Sequence, residues 1–185
     1  ESGYLPEAFI NMLAFLGWNP GTEQELFTMD ELSDAFSIDR VSKSGAKFDL
    51  EKAHWYNHQY MAKKSPAELA AFLILILKEK NIEVCADYVE KVCSLIHDRI
   101  VLIPDLWTQS HYFFVDPEEY DEKVAAKIWK PETAGFLSDI IPVLEAIEPF
   151  TKENLETGIR NYIQEKGISM GQLMNPLRLT IVGTN

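Results

Sequence analysis

Apolar residues recur at three- and four-residue intervals along almost the whole chain, and no stretch alternates convincingly between apolar and polar. That period fits α-helices and leaves nothing from which to build a sheet, so the fold class expected is all-α. Helix starts punctuate the pattern. Ser65-Pro66-Ala67-Glu68 combines an N-cap, a proline at the first helical position and a glutamate at the third. Thr28 with Glu31 forms a capping box, Asp49 caps a helix running to about Ala62, and Thr151 and Ser169 cap two more. Pro6, Asp116-Pro117-Glu118-Glu119 and Pro131-Glu132 mark further starts. Gly17 and Gly167 are stops, and Pro176 is expected to interrupt or bend the last helix. On the first helix Phe9, Met12, Leu13 and Leu16 share a face; on a later one Ala86, Val89, Cys93 and Ile96 do. The run Leu69–Leu77 is nine residues long, far below the roughly 20 needed to span a bilayer, and reads as a core helix.

A chain of 185 residues holds one large domain or two small ones. Its net charge of −12 argues, taken whole, against binding to nucleic acid or an anionic membrane. The distribution is less simple. Residues 1–39 hold eight acids and no base, whereas residues 40–64 hold six bases (Arg40, Lys43, Lys47, Lys52, Lys63, Lys64) against Asp49 and Glu51. The same stretch carries His54, Trp55, Tyr56, His58 and Tyr60. Basic residues interleaved with aromatics suit a phosphate-contacting surface, although a solvated helix face over core aromatics has the same composition.

Little here suggests catalysis. His54 and His58 stand four apart, but Trp55 occupies the place where a metalloprotease needs its glutamate, and no third ligand is evident, so no metal is expected. Cys85 and Cys93, eight residues apart, would lie about 12 Å apart on one helix, too far for a disulfide, and are expected to be buried reduced thiols. Residues 1–39 lack the Lys or Arg of a secretory n-region, so no signal peptide is expected there. Arg40-Val41-Ser42-Lys43-Ser44-Gly45 is similar to the ATP-binding Lys-Met-Ser-Lys-Ser loop of class I aminoacyl-tRNA synthetases. Arg-Val replaces Lys-Met and no nucleotide fold precedes it, so it reads as a decoy for that loop.

Read with its neighbours, the same stretch points elsewhere. Gly3-Tyr4-Leu5-Pro6-Glu7-Ala8 with Leu13-Ala14-Phe15-Leu16-Gly17-Trp18 resembles the segment just after the ATP loop of bacterial glutamyl-tRNA synthetases. Phe36-Ser37-Ile38-Asp39-Arg40-Val41-Ser42-Lys43-Ser44-Gly45-Ala46-Lys47-Phe48-Asp49 with Lys52-Ala53-His54-Trp55-Tyr56-Asn57 resembles their stem-contact region. Gly171-Gln172-Leu173-Met174-Asn175-Pro176-Leu177-Arg178-Leu179-Thr180 is similar to their anticodon-binding domain. The order is right and the motifs span most of the chain.

The resemblance implies a helical bundle or cage of two to three small subdomains: a stem-contact region at 1–64, an anticodon-binding subdomain at 65–116, and a second at 117–185. It implies that Arg178 contacts an anticodon base and that Arg99 is a second anticodon-reading arginine. Arg40, Ser42, Lys43, Ser44 and Lys47 would meet phosphates or 2′-hydroxyls of the tRNA stem, and Trp55 and Asn57 would position that surface. The partner implied is glutamate tRNA, with no DNA or membrane partner, and the parent enzyme is expected to be a cytoplasmic monomer. The catalytic domain, with its ATP and Mg, is expected before Glu1, and a further helical segment after Asn185. The chain is accordingly expected to be a non-catalytic portion with no cofactor of its own. The competing expectation is an acidic, all-helical protein-interaction module with no RNA role.

Overall fold

The computed structural model describes residues 2–43 and 45–184. Ten α-helices and three short 3₁₀ turns make up its regular structure, and among the described residues no strand forms. One isolated antiparallel bridge joins Trp18 to Val41. The chain divides into two compact units, Glu1–Phe114 and Val115–Asn185.

In the first unit, α1 (Pro6–Ala14), α2 (Met29–Ala35), α3 (Leu50–Met61), α4 (Pro66–Glu79), α5 (Ala86–Ile96) and α6 (Asp105–Thr108) follow in order. The caps read from the sequence are the caps observed. Thr28 and Ser65 close full capping boxes with Glu31 and Glu68, and Asp49 accepts from the Lys52 N–H. One core draws on both sides of residue 64: Leu5, Ala8 and Met12 of the α1 segment meet Tyr56 and Met61 of α3, Leu69, Leu73 and Leu77 of α4, and Val89, Cys93 and Ile96 of α5. The division between the two compact units falls between residues 114 and 115.

Two buried asparagines fix this core. Asn11 of α1 accepts the Phe27 N–H at 2.8 Å, and its Oδ1 lies 2.5 Å from the Tyr60 hydroxyl. Turning Asn11 inward rotates α1 from the face expected. Phe9 and Leu16 only flank the core, and Leu13 is exposed. On α5 the exposed Ala86 drops out of the inward stripe and Val92 joins it. Cys93 is buried, which pushes its thiol up to about 11, with Glu90 adding to the shift. Cys85 departs from expectation: it sits exposed at the N-terminal boundary of α5, since its place precedes the buried stripe.

The second unit comprises α7 (Glu122–Ile128), α8 (Thr133–Glu145), α9 (Lys152–Lys166) and α10 (Met170–Val182). Ile140, Tyr162 and Leu173 form its buried core, flanked by Phe136, Val143, Ile159 and Ile163. Asp116-Pro117 does not start a helix. The start lies at Asp121, whose carboxylate accepts from the Lys123 and Val124 N–H groups. Residues 117–119 are instead used against the end of α10: a Cβ at Gly183 (φ +82°) would come within 2.6 Å of the Glu119 carbonyl oxygen, and the Asp121 N–H donates to the Gly183 carbonyl. Pro176 does not interrupt α10, which runs through it to Val182 with the ring buried.

Candidate nucleic-acid interface

The described residues of the loop from 36 to 49 are almost all exposed, yet its first half is held. Arg40 closes a 3₁₀ turn over Ile38–Arg40, and its Nη1 donates to the Pro20 carbonyl in the Asn19-Pro20-Gly21 turn. Val41 bridges to Trp18, and the Ser42 N–H donates to the Gly17 carbonyl at 2.6 Å. The entry to this loop is thus pinned, at Val41 and Ser42, to the turn after α1. Lys43 follows, exposed, and Lys47 lies beside Asp49 and Lys52 at a small cleft. Ser44, also expected at this surface, lies outside the described residues.

The six bases of residues 40–64 separate into two groups. Lys52 stands 4.0 Å from Glu25, and Lys64 3.2 Å from Glu7. Lys63 contributes to holding the Glu31 carboxyl below the usual range, after the larger effects of the Thr28 backbone and side-chain hydrogen bonds. The acid-rich segment 1–39 therefore pairs with Lys52 and Lys64, while Lys63 forms no ion pair among the described residues and acts on Glu31 only weakly. Arg40, Lys43 and Lys47 take part in no ion pair among the described residues. Sequence counting found the net positive strip but could not show which cations were already matched.

Within α3 the aromatic and histidine side chains turn to different neighbours. The His54 ring stacks on Tyr4 with centroids 5.9 Å apart, whereas the His58 Nε2 lies 3.3 Å from the Asp98 carbonyl oxygen. The two imidazoles therefore do not converge as a ligand pair. Trp55 is partly exposed, edge-on to Tyr56, and Asn57 is buried.

Arg99 ends a 3₁₀ turn, His97–Arg99, that extends α5; its side chain is exposed and free of ion pairs among the described residues. The turn is tied back: His97 Nε2 lies 2.8 Å from the Lys64 carbonyl oxygen, and Nδ1 lies 3.2 Å from Asp98 Oδ1. The bond to the Lys64 carbonyl, then that to the Asp98 carboxylate, raises the imidazole above its ordinary 6.5, against the opposing effect of burial. A raised folded-state value means this tie is at full strength below about pH 6.5 and is lost as pH rises through the folded value. The melting temperature should therefore decline across that interval, and His97→Gln should remove this part of the slope. An unchanged slope in the variant would assign the dependence to other groups.

Arg178 lies on the exposed face of α10, opposite Leu173, Pro176 and Leu179, and is also free of ion pairs among the described residues. The surface ion pair that would give it a purely structural role is absent there. An apolar groove of about 570 Å³ is lined by Leu13, Trp18, Met29, Phe36 and Val41 among others, with no titratable side chain on its walls. Among the described residues no three metal-ligating side chains gather, and no helix is long and apolar enough to cross a membrane.

The profile of the family described as anticodon binding domain matches residues 58–185. The chain belongs to this family. A second profile, that of the class I tRNA synthetase catalytic domain (E and Q), matches residues 1–55. The glutamate–tRNA ligase of Phocaeicola vulgatus is 50% identical over 183 residues, which is 99% of this chain and 36% of that protein. The glutamate–tRNA ligase of Porphyromonas gingivalis is 44% identical over the same share of each. A crystal structure of a glutamate tRNA ligase from Elizabethkingia meningosepticum, in complex with its amino acid, superposes with a TM-score of 0.90 at 38% identity, covering 98% of this chain and 36% of that one. The chain thus spans about a third of the length of the relatives it matches.

Proposed function

We propose that the chain is the tRNA-binding portion of a cytoplasmic, monomeric ligase that attaches glutamate to its tRNA using ATP. The loop bearing Arg40, Ser42, Lys43, Ser44 and Lys47 contacts the tRNA stem, and Arg99 and Arg178 read the anticodon. ATP and Mg belong, on this reading, to the catalytic part of the ligase, and no residue of this chain is assigned to either. The observation that carries the reading is the separation of the basic strip. In a chain of net charge −12, Arg40, Lys43 and Lys47 form no ion pair among the described residues, while Lys52 and Lys64 stand against Glu25 and Glu7. An acidic remainder that repels RNA elsewhere favours one docking orientation over non-specific adhesion. An arginine suits the anticodon end because its planar fork bonds a base edge with two donors and also stacks on the ring.

Salt-dependent tRNA binding tests the reading, since phosphate contacts release counterions. Absence of binding at low salt would sink it in favour of an acidic interaction module, for which the apolar groove supplies a docking surface. In the full-length ligase, Arg178→Ala should weaken binding of the cognate tRNA by about 1–3 kcal/mol, the range for a bidentate base contact, and relax preference at one anticodon position. Equal losses on all anticodon variants would place Arg178 on the backbone instead.

A further inference from the structure

The two matched stretches end at residue 55 and begin at residue 58, which leaves Tyr56 and Asn57 between them. Both are fully buried in the middle of α3, so the seam between a catalytic-type and an anticodon-type segment runs through one continuous helix.

The Asn57 amide is bonded at both ends. Its Oδ1 accepts the Leu5 N–H at 2.7 Å, at the boundary of α1, where the Leu5 side chain provides no cap. Its Nδ2 donates to the Val101 carbonyl, two residues beyond Arg99. A second link runs alongside: the Ile103 N–H donates to the Gly3 carbonyl at 3.0 Å, and a Cβ at Gly3 (φ +74°) would overlap the Pro104 ring. The entry to α1 and the segment after Arg99 are therefore held together by one buried side chain and one close backbone approach. A buried amide that loses either partner bears the desolvation penalty of an unmet hydrogen bond, so the two segments cannot slide independently.

We propose that Asn57 is a positioning residue that keeps the Arg99 turn in fixed register with the start of α1, so that engagement of a base by that turn is passed to the catalytic side of the ligase. This rests on the reading of Arg99 as an anticodon contact. Asn57 itself touches no RNA; it links the turn that does to the segment matched by the catalytic profile.

The test uses the full-length ligase, with tRNA binding and charging kinetics measured on cognate glutamate tRNA and on one anticodon-substituted tRNA. Asn57→Asp keeps an acceptor for Leu5 but turns the Val101 donor into a second oxygen. It should lower the cognate-over-substituted ratio in kcat by roughly 3- to 30-fold, the range for residues that carry coupling, while leaving the same ratio in binding almost unchanged. Gly3→Ala, which forces the two segments apart from the other side, should do the same and carries the test if Asn57→Asp does not fold. Leu73→Ala, a core substitution on α4 that removes neither hydrogen-bond partner of Asn57, should lower the melting temperature without moving the kcat ratio. An unchanged kcat ratio in the seam variants, or an equal fall in Leu73→Ala, would overturn the proposal. If Arg99→Ala leaves tRNA binding untouched, the anticodon reading of Arg99 fails, and that result is separate from any obtained at Asn57.

Discussion

Truncating Leu73 to alanine is expected to lower the unfolding free energy of residues 1–114 by about 2–5 kcal/mol. Leu73 is fully buried on α4, within a core cluster that also draws on α1, α3 and α5. Loss of its isobutyl group removes apolar contact and leaves a cavity that the surrounding packed helices close only in part. A unit of this size has a total stability of only about 5–15 kcal/mol, so the change is a large fraction of the whole. Trp18, Trp55 and Trp107 report on the first unit and Trp129 on the second. Urea unfolding followed by fluorescence in a Trp129→Phe background isolates the transition of interest. A midpoint shift worth less than about 1 kcal/mol would mean that Leu73 is not central to the packing.

The helices were legible where their signals are local. Thr28, Asp49, Ser65, Thr151 and Ser169 each cap a helix through a side-chain oxygen and a nearby N–H, an interaction complete within four residues. What failed depended on distant partners. Asp116-Pro117 carries as good a start signal as Asp121, but residues 117–119 are committed to the end of α10 about 65 residues away, a contact no local pattern encodes. Asn11 and Asn57 are polar and would be placed outward by period alone. They are buried because the Phe27 and Leu5 N–H groups require an acceptor there. Asn11 in turn shifts Leu13 to the surface.

The interface was legible by composition, with only half of its meaning. A net charge over residues 40–64 cannot distinguish a lysine facing Glu7 from one facing solvent, because Glu7 lies 57 residues from Lys64. Once the fold supplies those pairings, the charge we propose for RNA contact narrows from six cations to Arg40, Lys43 and Lys47, with Arg99 and Arg178 elsewhere.

Neutralising that trio should therefore affect RNA binding far more than neutralising the other. Each phosphate contact contributes about 0.7–0.9 to the slope of log K against log salt, so Arg40→Ala/Lys43→Ala/Lys47→Ala should reduce the slope by about 2–3. Because that term scales with the logarithm of salt, the same change at 0.1 M salt corresponds to roughly a hundredfold loss of affinity, near 3 kcal/mol. The loss should be nearly equal for tRNAs with altered anticodons, since phosphates carry no sequence information. Arg40 must also be read separately: its Nη1 is bonded to the Pro20 carbonyl, so Arg40→Ala loosens the loop entry as well as removing a charge, and Arg40→Lys keeps the charge alone. The matched control is Lys52→Ala/Lys63→Ala/Lys64→Ala, which removes the same formal charge but from two lysines set against Glu25 and Glu7 and a third that helps hold the Glu31 carboxyl low. That variant should leave the slope close to wild type. Equal slopes for the two triple variants would show that the acid-facing lysines bind RNA as readily as the others, and the separation of the strip would then carry no functional meaning.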